Sequence, residues 1–135
     1  MKLFLDDIRM PKDCLGYMHT RIGALNPIYS EEWKICRNFS EFQFLITTYC
    51  KEITHVSFDH DLADFHYSLD VQDYEDMSED TKMNLFGSID KDGYDCAKWM
   101  LEFYTILNLP LPTIIVHSMN PVGRERISNL FKLKL

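Results

Sequence analysis

The sequence carries no excess of basic residues: Lys and Arg number 14 against 21 Asp and Glu, a formal net charge of −7. That balance argues against binding along duplex DNA, which needs a basic footprint to displace counterions. It leaves room for a small phosphorylated ligand held through a metal. Also missing is any apolar run near the roughly 20 residues of a membrane-spanning helix. The opening stretch Met1-Lys2-Leu3-Phe4-Leu5-Asp6-Asp7 has too few apolar residues for a signal peptide, whose core takes about 7–15. The expectation is a cytoplasmic protein with no membrane partner. The four cysteines, Cys14, Cys36, Cys50 and Cys96, form no Cys-x-x-Cys pair. Zinc spacing is therefore lacking, and reduced, mostly buried thiols are the simple reading. No internal repeat and no second domain can be traced.

What is present is one domain's worth of chain, 135 residues, 46% hydrophobic and 13% aromatic. That suffices for a packed core without disulfide or metal staples. Leu3-Phe4-Leu5 is a short apolar run stopped by two carboxylates, as in a strand buried on both faces of a parallel sheet. Residues 8–30, with Pro11, Gly16, Gly23 and Pro27, show no periodicity and read as a long excursion. Trp33-Lys34-Ile35-Cys36 predicts a second strand. Ser40 with Gln43 reads as a capping box, opening a helix with Phe42, Leu45, Ile46 and Tyr49 on one face. Residues 53–58 predict the next strand, running into Asp59-His60-Asp61.

A polar, acidic insertion follows over about 63–90, too long for an ordinary connection and read as a lid or a partly disordered segment. Asp92 and Asp95 then cap a helix. Only Asp95, Lys98, Glu102 and Thr105 form a polar stripe on it, so burial over most of its girth is expected. Thr113-Ile114-Ile115-Val116 predicts the last strand, leading into His117-Ser118. Asn120 is the N-cap and Pro121 the first residue of a final helix, with Ile127, Leu130 and Phe131 inward and Lys132 and Lys134 suiting its C-terminal dipole. Strands alternating with helices imply right-handed crossovers and an α/β fold: a small doubly wound parallel sheet of about four strands with helices on both faces, in one domain over 1–135.

In such a sheet, ligands bind beyond the carboxyl ends of the strands. Asp6-Asp7, Asp59-His60-Asp61 and His117-Ser118 all follow predicted strands, so the architecture would gather them at one edge. A single Asp at a strand end reads as a turn cap. Four at two strand ends repel one another and point to a cation or phosphate site, with Asp6 or Asp7 and Asp59 as magnesium ligands. His60 lies between two carboxylates that can orient its imidazole. His117 directly precedes a helix start whose N–H groups favour anions. Ser118, Asn120 and Arg124 are placed to cradle a phosphate, and the two histidines to act as its general acid and base. Arg9 either balances this charge or is a solvated loop arginine. His19, His55 and His66 have no such setting.

Four segments then become familiar: Leu-Phe-Leu-Asp-Asp-x-Arg-x-Pro at 3–11, Ser-Phe-Asp-His-Asp-Leu at 57–62, Asp-Gly-Tyr-Asp-Cys-Ala-Lys-Trp at 92–99 and Val-His-Ser-Met-Asn-Pro-Val-Gly at 116–123. Together they resemble the cyclic-phosphate processing receiver-like domain. The resemblance implies the receiver (flavodoxin-like) fold and a divalent cation, magnesium or manganese, on the acids of the first strand. It also aligns Asp59 with the receiver phosphoacceptor. His60, Asp61 and His117 depart from ordinary receivers, and the last-strand Lys has no clear counterpart. The resemblance therefore implies processing of cyclic phosphates on nucleotides or RNA ends, by a metal-assisted phosphoesterase or phosphotransferase. Asp6, Asp7 and Asp59 would hold the metal, His60 and His117 move protons, and Asp61 orient His60. Asp59 as a covalent nucleophile is a variant. The alternatives are a non-catalytic module that captures a nucleotide or cyclic nucleotide, and a phosphoaccepting receiver.

Overall fold

A computed structural model describes residues 1–16, 27–62 and 91–132. Four strands, β1 (Lys2–Leu5), β2 (Lys34–Cys36), β3 (His55–Phe58) and β4 (Thr113–Val116), form one sheet in the order β2-β1-β3-β4. Every pairing is parallel, and Leu5 stands opposite both Cys36 and Phe58, as Phe58 does opposite Val116. The strands therefore end level. The ladder runs one residue further, with Asp6 N–H on the Cys36 carbonyl, Asp59 N–H on Leu5 and His117 N–H on Phe58 at 2.9–3.1 Å. Three polar residues are thus fixed at one edge by backbone geometry alone.

The chain leaves β1 outward to β2 and then returns across the sheet to β3 and β4. With right-handed crossovers, the first connection must cover one face and the later ones the other. Accordingly α1 (Phe39–Tyr49), α2 (Gly93–Ile106) and α3 (Pro121–Leu130) share a face. There Phe42, Leu45, Ile46, Cys96, Ala97, Met100, Tyr104 and Ile127 pack on Leu3, Leu5, Val56, Phe58 and Val116. Strand alternation sends Phe4 and Ile115 to the opposite face, where they meet Cys14, Tyr29 and Trp33. Among the described residues, that face is covered by two 3-10 helices, Pro11–Gly16 and Pro27–Ser30, within the excursion read from sequence as aperiodic. Among the described residues, four parallel strands with three α-helices give the receiver-like α/β architecture the sequence predicts. Reversal of direction between β1 and β3 makes their carboxyl ends the topological switch point, where ligand sites form in open α/β sheets.

One local reading is corrected. Helix α1 is capped by Asn38, whose side chain accepts the Glu41 N–H at 2.9 Å, and Ser40 lies inside the helix. Asn caps as well as Ser does, and Glu41 in the first turn completes the arrangement by accepting the Arg37 N–H at 2.7 Å. The Asp92 cap of α2 is present as a reciprocal capping box with Asp95. This helix is buried or half-buried around most of its girth, as expected, with Lys98, Glu102 and Thr105 exposed; at its end Ile106 is 82% exposed and the cap residue Leu107 49%. Its 14 residues run about 21 Å against about 13 Å for a four-residue strand, so the last turn outruns the sheet. All four cysteines are free thiols, three of them buried. Among the described residues no helix is long and apolar enough to cross a membrane. The acidic stretch 63–90, His19, His66 and Lys134 lie outside the described residues.

Candidate functional site

At the switch point lies a cavity of about 310 Å³ lined by Asp6, Asp7, Ile8, Arg9, Asp59, Asp61, Ser118, Met119 and Asn120. Asp6 is wholly buried at its base, and its carboxylate is the most fully hydrogen-bonded group there. One oxygen accepts the N–H groups of Ile8 and Arg9 at 2.9 and 2.8 Å. The other accepts Arg9 Nε at 2.9 Å and His117 Nε2 at 3.0 Å. Burial pushes this carboxyl up, but the His117 bond and the two backbone N–H groups outweigh it and hold Asp6 well below the usual carboxylate range. Asp6 is an anion at any ordinary pH.

Asp59, at the end of β3, is the opposite case. Burial, followed by the nearby Asp6 charge, pushes its carboxyl up to about 6, against the pull of Arg9 and the His60 N–H. The Arg9 guanidinium spans the two acids, with Nη2 at 3.1 Å from Asp59 Oδ1. Of the two sequence readings of Arg9, the structure therefore has the one that balances the site's charge.

The histidines stand elsewhere than at the cavity wall. His117 has no exposed surface and stacks on Phe4, centroids 4.3 Å apart and planes 9° from parallel. Its Nδ1 is 2.7 Å from Ser57 Oγ, itself 2.8 Å from the Tyr29 hydroxyl. Burial lowers the imidazole pKa, so the network assigns a neutral ring. Tyr29 donates to Ser57, Ser57 to Nδ1, and Nε2–H to Asp6. His117 thus orients Asp6 from behind.

His60 follows strand parity. Asp59 and Asp61 face the cavity, while the residue between them turns away toward the helix starts. Its Nδ1 lies 3.0 Å from Asp61 Oδ1, and its ring abuts Gly123, where an added Cβ would sit 2.2 Å from Cγ. Nε2 is 3.3 Å from Asp92 Oδ2, close but out of line for a hydrogen bond.

The phosphate-cradle residues divide as well. Ser118 and Asn120 line the cavity, and Arg124 does not. Asn120 Oδ1 accepts the Val122 and Gly123 N–H groups at 3.1 and 3.2 Å, so the start of α3 is capped by its own side chain. Ser118 Oγ accepts the Asn120 N–H, leaving its hydroxyl proton to donate, and Asn120 Nδ2 lies 3.4 Å from Asp61.

Sequence reasoning missed Tyr29, Ser57 and Arg37. Arg37 donates to the Asp6 and Arg9 carbonyls at 3.0 and 2.7 Å and braces the β1 loop. A signal for it existed, since it follows β2 at the same carboxyl edge. Ser57 carries none beyond being a polar residue within a strand, and Tyr29, in the aperiodic excursion, carries none.

Fit to a divalent cation can be judged from the donors. Asp6, Asp59 and His117 offer atoms within 4.8 Å of one another. Asp6, however, has its four lone-pair directions filled, and His117 Nε2 holds the proton it gives Asp6. Asp59 and Asp7 both line the cavity, and magnesium asks for one or two carboxylates plus water and phosphate oxygens. The pocket fits the ion through those two. Residues 1–133 match the family model described as the cyclic-phosphate processing receiver domain. No curated protein and no solved structure matches the chain.

Proposed function

The chain belongs to the cyclic-phosphate processing receiver domain family, and we propose that its pocket binds a cyclic phosphate on a nucleotide or RNA end and opens the ring. The reaction class is a metal-assisted phosphoesterase or phosphotransferase. The observation that carries it is Asp59: a buried carboxyl pushed up to about 6, at a cavity that also holds an arginine. A pocket of acids alone would repel a phosphodiester anion. Arg9, together with a cation that Asp59 and Asp7 would hold, would reverse that sign. A bound magnesium or manganese ion would neutralise and position the phosphoryl group.

Ser118 donates its hydroxyl proton to a phosphate oxygen. Asp61, half free of the protein at the wall and steadied by His60 and Asn120, accepts the proton of an attacking water or alcohol. As the new P–O bond forms, one ring P–O bond breaks, and the departing oxygen takes a proton from solvent. His60 and His117 act as positioning residues for Asp61 and Asp6.

A second reading, capture without turnover, is favoured by one observation: among the described residues no imidazole lines the cavity. The test is incubation with magnesium or manganese and a panel of 2′,3′-cyclic, 3′,5′-cyclic and cyclic dinucleotides and cyclic-phosphate RNA ends, read by chromatography. Turnover should vanish on chelation and fall about 100-fold or more in Asp59→Asn. A panel member retained tightly but recovered intact selects the binding module. Neither turnover nor retention sinks both readings.

A further inference from the structure

Asp6 and Asp59, the acids that the first and third strands present, are already bridged by a cation, and that cation belongs to the chain. Arg9 Nε sits 2.9 Å from Asp6 Oδ2 and Nη2 3.1 Å from Asp59 Oδ1. Two points make this a built arrangement. The Arg9 backbone N–H donates to the same Asp6 carboxylate at 2.8 Å, so the residue that supplies the guanidinium also fixes its anchor. Behind it, Arg37 holds the Arg9 carbonyl at 2.7 Å and the Asp6 carbonyl at 3.0 Å, clamping the loop. A guanidinium presents N–H groups in a rigid planar fork, which lets one side chain satisfy two carboxylates at once.

We infer that Arg9 is the resident cation of this pocket, standing where a metal ion shared by Asp6 and Asp59 would have to stand. Asp6 is therefore no metal ligand in this chain. A divalent ion is left to Asp59 and Asp7, and Arg9 limits how tightly it is held. The pocket is a one-metal-plus-arginine site, in which the arginine supplies the second positive charge toward a phosphate. The inference rests on the proposed metal-assisted reading only in taking a divalent ion as the probe.

The test is calorimetric titration of the full chain with Mn2+ alone, for the wild type, Arg9→Gln and Arg9→Lys. Removing the guanidinium frees lone pairs on both acids and strips a positive charge from their side, so Arg9→Gln should bind Mn2+ about tenfold or more tighter than wild type. Arg9→Lys keeps a charge but as a single point that cannot span both acids, and should fall between the two. This second variant covers a failure of Arg9→Gln to fold, read from its thermal melt. Arg9 variants that bind Mn2+ no tighter than wild type, or no binding in any of the three, overturn the inference. Tighter binding in a protein that turns over no cyclic phosphate leaves the inference standing and removes the function. Turnover with unchanged Mn2+ affinity does the reverse.

Discussion

Asp59 gives the sharpest quantitative expectation. Its carboxyl, ordinarily at 3.8, stands at about 6 in the fold because burial and the Asp6 charge disfavour the anion. The folded state therefore holds that proton more tightly than the unfolded chain does. The sign follows from linkage: the stability this group contributes is fully present below 3.8 and is lost as pH rises through about 6. At about 1.36 kcal/mol per pH unit, the loss by pH 8 is about 3 kcal/mol. Asp59→Asn supplies a neutral side chain of the same shape, whose Oδ1 can still accept Arg9 Nη2 and the His60 N–H. The variant should match wild type near pH 4 and exceed it by about 3 kcal/mol at pH 8, with the difference growing between 4 and 7. The assay is urea unfolding at half-unit pH steps, with chelator present so that no adventitious metal favours the wild-type anion. Subtracting one curve from the other removes the opposite contribution of Asp6, whose lowered pKa gives stability that is lost only as pH falls below the ordinary carboxylate range. A stability difference that stays flat across that window would refute the account of Asp59 as a strained, desolvated acid.

Two further expectations concern what stands behind the pocket. Gly123→Ala places a Cβ 2.2 Å from His60 Cγ, on a ring held between Asp61 and Asp92, and should cost about 1–3 kcal/mol. Adding His60→Gly, which also removes the His60 Cβ that would stand 2.6 Å away, should recover much of that loss, and a double-mutant cycle by thermal unfolding showing no interaction would refute the contact. In the Tyr29–Ser57–His117 relay, Tyr29→Phe removes one neutral hydrogen bond and should cost about 1 kcal/mol. Ser57→Ala removes the hydrogen bonds to both buried His117 Nδ1 and the Tyr29 hydroxyl and should cost about 1–3 kcal/mol; urea midpoints in the reverse order would break the relay.

Convergence of Asp6, Asp59 and His117 was legible because each follows an apolar run, and parallel strands in register must end together. Which way each side chain then turns was not legible. His60 sits in the same tripeptide as two cavity-lining acids, yet parity alone sends it to the helix starts. His117 looks from sequence like a residue emerging at an edge. Its depth depends on Phe4, Ser57 and Tyr29, which meet it only in the folded sheet. Arg9 had two readings because a loop arginine carries no periodicity, and the distance to Asp59 across 50 residues decided between them. The Asn38 cap was missed for a local reason: Ser-x-x-Gln and Asn-x-x-Glu overlap at 38–43, and the pattern gives no rule for ranking them.

The bond between His117 and Asp6 joins residues 111 positions apart. At about 5–20 residues per second, a ribosome makes Asp6 roughly 5–20 s before its partner exists. During that interval β1, β2 and β3 can form a sheet, but the acid at the pocket base lacks the imidazole that keeps its second oxygen aimed. Docking of β4 both closes the sheet edge and delivers that imidazole, because His117 is the residue immediately after the strand. Competence of the site is thereby tied to the final strand addition, and a chain halted before it would present the acidic motif without an ordered pocket.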